Sequence, residues 1–158
     1  MRFRFRLDIK RAILVLMTIT VLILIAVKIG EQDQQEKLPP ETYIIIVNKD
    51  GENEKIELER FVMGVVAAEM PASFEDEALK AQAIAARTYI LSHCEPYGQP
   101  RHGEAAVCCD STHCQAYVDE LELRVRWGEN YDKYYAKIAD AVLATRGEIL
   151  FWQDTIAE

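Results

Sequence analysis

The chain opens on a pattern unlike that of the rest of it. Residues Ala12 to Val27, AILVLMTITVLILIAV, are sixteen positions without a charge, and Lys28 and Ile29 extend the run because a lysine stem snorkels toward the interface. Such a run predicts a membrane-spanning helix over residues 12–29. The polar stretch EQDQQEKLPPE that follows has two prolines and no apolar period, so residues 30–41 read as a linker. Beyond it the pattern changes to that of a small folded domain, residues 42–158. Tyr43 to Val47 is β-branched and aromatic, Asp50-Gly51 is a turn pair, and Lys55 to Leu58 alternates, which together predict a hairpin. Phe61, Val62, Val65 and Val66 then recur at helical spacing until Pro71 forbids continuation, leaving Glu69 in the last turn.

Two further helices follow from the same rule. In FEDEALKAQAIAARTYILSH, Leu79, Ala83, Ala86 and Ile90 form one stripe, the acidic residues 75–77 suit a helix start, and Ser73 is the expected cap. In NYDKYYAKIADAVLATRGEIL, Ile138, Val142 and Leu143 point inward, and Gly147 caps the helix before a strand starting at Glu148. The expected fold is therefore α+β: a small mixed domain with helices packed on a short sheet, preceded by one transmembrane helix.

Charge decides how that helix is oriented. Arg2, Arg4, Arg6, Lys10 and Arg11 stand against Asp8 before the apolar run, so residues 1–11 are expected in the cytoplasm and the domain on the far side of the membrane. AVKIGEQ lacks the small-x-small pattern of a cleavage site, which favours a retained anchor. The formal net charge is −8 although the first thirty residues are basic, so the domain is strongly acidic and nucleic acid is not its partner.

Candidate chemistry is concentrated in two places. Glu69 follows a largely apolar run and precedes Met70-Pro71, a context expected to desolvate its carboxyl partly and make it available as an acid; Arg87, within AIAARTY, is its expected electrostatic partner. A solvated glutamate at a helix end and a structural ion pair are the bland readings of the same two residues. The second place is HGEAAVCCDSTHCQAY, in which His102, Cys108, His113 and Cys114 supply two imidazoles and two thiols, the donors tetrahedral zinc prefers. Cys109 is the alternative to Cys108; disulfides between Cys94 and a loop cysteine, in an oxidising compartment, and free thiols are the rival readings of the same cysteines. His93 is expected to be an exposed residue near a helix end.

MGVVAAEMPASFEDEALKAQAIAARTYIL, CDSTHCQAY and AVLATRGEILF, in this order, closely resemble the stage II sporulation protein D family, membrane-anchored lytic transglycosylases of endospore formers. The resemblance spans roughly residues 43 to 152 and implies that Glu69, in Ala67-Ala68-Glu69-Met70-Pro71, is the catalytic acid. It also implies Arg87 as a charge or substrate partner, Lys80 as a weaker substrate-binding candidate, and zinc on the His/Cys loop. The implied substrate is the MurNAc to GlcNAc bond of peptide-stripped peptidoglycan strands, with 1,6-anhydroMurNAc ends as product. The implied setting is the mother-cell membrane during engulfment, beside a peptidoglycan amidase and endopeptidase and a localising membrane protein. Family members run further past the T-R-G segment, so this sequence is expected to hold the first part of such an enzyme. A zinc-dependent wall hydrolase and an inactive glycan- or partner-binding fragment are the alternatives.

Overall fold

The computed structural model describes residues 15–22, 43–109 and 113–157. The chain divides into two units, residues 1–38 and 39–158. In the first, residues 15–22 are helical and exposed along their length. No helix among the described residues is long and apolar enough to cross a membrane. The remainder of the expected 12–29 span, the basic segment 1–11 and the linker 30–41 lie outside the described residues.

The second unit is the expected α+β domain. Strands β1 (Ile44–Lys49) and β2 (Glu52–Glu57) pair antiparallel from Ile44 opposite Glu57 to Lys49 opposite Glu52. Asp50 and Gly51, with φ of 53° and 89°, make the tight turn, a conformation whose twist matches that of a hairpin. β1 alternates as a strand with one buried face should: Ile45 and Val47 are in the core. β3 (Val107–Cys108) joins its other edge in parallel, Val47 opposite Val107 and Asn48 opposite Cys108, giving the order β2-β1-β3.

Helix α1 (Leu58–Glu69) starts straight from β2, its first turn capped by the Glu57 side chain, which accepts from the Arg60 amide at 2.8 Å. Helix α2 (Asp76–Leu91) buries the expected stripe, with Leu79, Ala83, Ala86 and Ile90 all at 0–1% exposure. Its cap is not Ser73: the flanking residue is Glu75, and no side chain completes the cap. After the long irregular segment, α3 (Glu120–Trp127) is capped by Asp119, whose carboxylate accepts from the Glu122 amide at 2.8 Å. α4 (Tyr131–Ala144) packs against α1 and α2 with Ile138 and Val142 inward. Leu143, expected inward, is 49% exposed, because the buried face of α4 runs through Ile138, Ala141 and Val142. Gly147 has the positive φ of 77° expected of a helix-ending glycine, but extended pairing begins only at β4 (Phe151–Trp152), which pairs with β5 (Thr155–Ile156).

Arg87 stands at the middle of this core. Its side chain is fully buried, donates to Glu59 through Nε (3.0 Å to Oε1) and Nη2 (2.6 Å to Oε2), and donates also to the carbonyls of Val142 and Glu148, each at 3.1 Å. One guanidinium thus ties α1, the end of α4 and the segment leading to β4 together.

Candidate functional site

Glu69 ends α1 where the sequence pattern puts it, but its surroundings differ from expectation. The carboxyl is exposed rather than desolvated, because the apolar run before it, Val65, Val66 and Ala67, turns inward while residue 69 faces out. Oε1 accepts a hydrogen bond of 3.2 Å from the backbone N–H of Ala116. Arg87 is not its partner. It is bound to Glu59, ten residues and therefore about 15 Å of helix away, and at 0% exposure it is held in the core rather than presented to a ligand. Lys80 is on the outer side of α2, paired with Glu77 at 2.7 Å, in a cleft of about 290 Å³ shared with Asp76, Lys137 and Asp140. No described contact joins it to Glu69.

The second group does assemble. One donor atom from each of His102, Cys108, His113 and Cys114 lies within 4.8 Å of the others. His102 Nε2 is 3.0 Å from Cys114 Sγ, Cys108 Sγ is 3.2 Å from Cys114 Sγ, and His113 Nδ1 is 3.3 Å from Cys114 and 3.4 Å from Cys108. A tetrahedron with the usual zinc to sulfur and zinc to nitrogen bond lengths has edges of about 3.3–3.8 Å, so this donor set has the size and chemistry for such an ion. Backbone architecture brings the four together. His102 and Ala105 exchange both backbone hydrogen bonds across a turn containing Gly103 at φ 66°, and Cys108 is fixed by pairing of β3 with β1.

The cysteines separate clearly. Burial pushes the Cys114 thiol up, but hydrogen bonds from the Cys108 backbone and from the His113, Cys108 and His102 side chains outweigh it and bring the thiol down to about 6. Burial alone takes Cys94 up to about 11, and burial chiefly takes the adjacent Cys109 up to about 12. By position, Cys108 is the member of the pair whose sulfur joins the donor set, and Cys109 is not in it. None of the four is in a disulfide, and Cys94 is in the core. His93 is corrected as well: it is buried at 2% exposure, its Nδ1 against the Tyr89 carbonyl at 2.7 Å.

Residues the hydrophobic pattern passed over connect the two groups. From Cys114 the chain runs along α1 in the opposite direction: Ala116 meets Glu69, the Val118 amide donates to the Gly64 carbonyl at 3.4 Å, and Glu120 approaches Arg60 at 3.9 Å. The Tyr117 ring stacks on Phe61, centroids 4.9 Å apart and planes 8° from parallel. Lys49, at the end of β1, holds the far end of this segment through Asp119 at 2.7 Å. That hydrogen bond is the main reason the Lys49 ammonium is raised and the Asp119 carboxyl lowered from their ordinary ranges. A glycine in the middle of an otherwise apolar helix, Gly64, was the one sequence signal of this close approach.

An α+β domain that carries an exposed glutamate at a helix end, bonded to a loop with a His/Cys cluster at its root, has a known counterpart in sequence. The profile of the Stage II sporulation protein family, SpoIID, matches residues 47–152, and the chain belongs to that family. It is similar to stage II sporulation protein D of Bacillus subtilis strain 168, 43% identical over 101 residues, and to that of Bacillus amyloliquefaciens, 41% identical over 101 residues. Each alignment covers 64% of this chain and 29% of the relative, so the chain spans under a third of the length of the curated relatives it matches.

Proposed function

We propose that this sporulation-family chain is a membrane-anchored lytic transglycosylase that cleaves MurNAc to GlcNAc bonds in peptide-stripped glycan strands, and that Glu69 is its acid and base. The observation that carries this reading is the exposed Glu69 carboxyl at the end of α1, oriented by the Ala116 amide. Glu69 in its protonated form gives its proton to the glycosidic oxygen as the bond from that oxygen to the MurNAc anomeric carbon breaks. The resulting carboxylate then takes the proton of the same sugar's C6 hydroxyl as that oxygen bonds to the anomeric carbon, closing the 1,6-anhydro ring. One carboxyl serves both steps and returns to its starting state. A hydrolytic glycosidase, by contrast, uses a second carboxylate for water or for the sugar.

His102, Cys108, His113 and Cys114 would hold a zinc ion. Four protein donors leave no position for a reactive water, so the ion's contribution when bound is to fix the loop. That distinguishes this reading from a zinc-dependent wall hydrolase, whose metal needs an open position. The 12–29 segment would anchor the chain in the mother-cell membrane with the domain outside the cytoplasm. The amidase and endopeptidase that supplies stripped strands, and the membrane protein that localises the complex, are partners proposed from the family resemblance.

The test is to incubate the full chain in detergent with stem-peptide-free glycan strands and to look by mass spectrometry for 1,6-anhydromuramoyl ends. Production by the parent chain and its loss in Glu69→Gln are expected. Glycan binding without anhydro ends, from folded and zinc-loaded protein, would replace this reading with a binding role.

A further inference from the structure

Segment 113–118 touches α1 at three successive places along the helix, and the contacts leave almost no slack. A Cβ built on Gly64 would stand 2.4 Å and 2.7 Å from the Tyr117 ring carbons Cε2 and Cδ2, and 2.7 Å from the Val118 carbonyl oxygen. The crevice lined there by Met63, Gly64, Tyr117, Val118 and their neighbours encloses about 10 Å³, at most the room of one water molecule. Gly64 is 0.5–1 kcal/mol worse than alanine in a helix interior by propensity, roughly, so the helix alone gives no reason for it. The close passage of the segment does.

The segment is also held at both ends. Cys114, two residues before the amide that meets Glu69, belongs to the His/Cys cluster, and Asp119 at the other end is bound to Lys49. Between these two anchors the only donor that reaches Glu69 among the described contacts is the Ala116 amide, which is fixed by the backbone and cannot swing as a side chain would.

We propose that residues 113–118 are a positioning strap for Glu69, drawn tight by the His/Cys cluster at one end and admitted to α1 by Gly64, so that occupancy of the cluster sets how firmly the Ala116 amide orients the carboxyl. Gly64 and Tyr117 are positioning residues in this arrangement: neither is a metal donor, and both act on Glu69 through the strap. The proposal rests on the reading of Glu69 as the reacting group, but its structural half can be measured without any turnover.

The measurement is hydrogen exchange at the Ala116 amide in the full chain in detergent, with zinc added and with zinc chelated, for the parent, Gly64→Ala and Tyr117→Leu, alongside zinc stoichiometry and glycan cleavage. In the parent, chelation is expected to speed Ala116 exchange about tenfold or more, as a locally opened amide does. Gly64→Ala, with its zinc retained, should show the same fast exchange, and its kcat on glycan should fall roughly ten- to a hundredfold with little change in KM, since a misplaced reacting group costs turnover more than binding. Tyr117→Leu, which removes the ring but admits no new atom to the helix, gives the same signs if Gly64→Ala fails to fold. Parent-like exchange at Ala116 in folded, zinc-loaded variants, or exchange indifferent to chelation, would overturn the strap. If no version of the chain cleaves glycan, the exchange results still decide it, and what fails then is the transglycosylase reading.

Discussion

Two charged residues of neighbouring helices, Arg87 and Glu69, are both expected from the sequence to serve the same site, and the fold uses them in opposite ways. Arg87 is buried completely and its donors are taken by Glu59, Val142 and Glu148. Glu69 is exposed and receives one hydrogen bond, from a backbone amide of a loop. A buried guanidinium with a bidentate carboxylate and two carbonyls has its hydrogen-bonding capacity directed to the fold, and changing it changes the fold. An exposed carboxyl held by a single amide contributes little to stability and leaves its remaining lone pairs open to solvent. The two residues thus separate into one committed to the core and one presented at the surface, with Glu59 and Glu69 about three turns of α1 apart.

The sharpest way to break this comparison is to remove each charge in turn. Arg87→Met leaves the buried Glu59 carboxylate uncompensated, which costs about 3–5 kcal/mol for a buried pair. Loss of about 10 °C or more in thermal midpoint is expected, read by circular dichroism, and any loss of activity should follow loss of folded protein. Glu69→Gln keeps an oxygen that can accept from Ala116, so its midpoint should stay within about 0.5 kcal/mol of the parent's stability. Its formation of anhydro ends should nevertheless fall about 10²- to 10⁴-fold, the usual contribution of a positioned acid and base. A stable, inactive Arg87→Met chain would show that the arginine acts at the site after all.

How much of this was legible depends on the range of the interactions. The hairpin, α1, α2 and α4 announce themselves by local periodicity and by turn residues such as Asp50-Gly51, and the His/Cys donors by their density in one loop. α3 gives no such signal. Leu123 is its one buried residue, while Leu121 and Val125 are 73% and 81% exposed, and its start is marked only by the Asp119 cap. Leu143 was misplaced because neighbouring apolar residues on α4 leave the exact boundary of the buried face to tertiary packing. The pairing of Arg87 with Glu59 instead of Glu69 is also tertiary. Both glutamates are on α1, and only the packing of α2 across its first turn, not sequence distance, selects between them. Glu69 and the strap meet across forty-seven residues, and Gly64 was the sole local trace of that meeting.

The loop cysteines sharpen the comparison on the chemical side. Cys114→Ser replaces a donor whose thiol is already lowered to about 6 and is expected to abolish stoichiometric zinc binding, read by metal analysis of purified protein. Cys109→Ser alters a neighbour that is not in the donor set, so it should bind zinc as the parent does. Zinc lost from Cys109→Ser and kept by Cys108→Ser would exchange Cys109 for Cys108 in the donor set.

The smallest effect is expected at Lys49–Asp119, where the strap ends. The two side chains are 29% and 38% exposed, so solvent screening leaves this ion pair about 0–1 kcal/mol, and Asp119→Asn is the suitable variant because asparagine still caps α3. The Asp119 carboxyl is lowered in the folded chain, mainly by Lys49, so its contribution to stability is present above the unfolded value near pH 4 and disappears as pH falls through the lower folded value. The Lys49 ammonium is raised, mainly by Asp119, so the lysine side of the same pair is complete below the unfolded value near pH 10 and is lost above it. The stability difference between the parent and Asp119→Asn should therefore be flat from about pH 5 to 9 and shrink toward both ends, measured by denaturant unfolding across that range. A difference that persists undiminished well below pH 4 would mean that it does not come from the Asp119 charge and its pair with Lys49, and the strap would then be held by its cluster end alone.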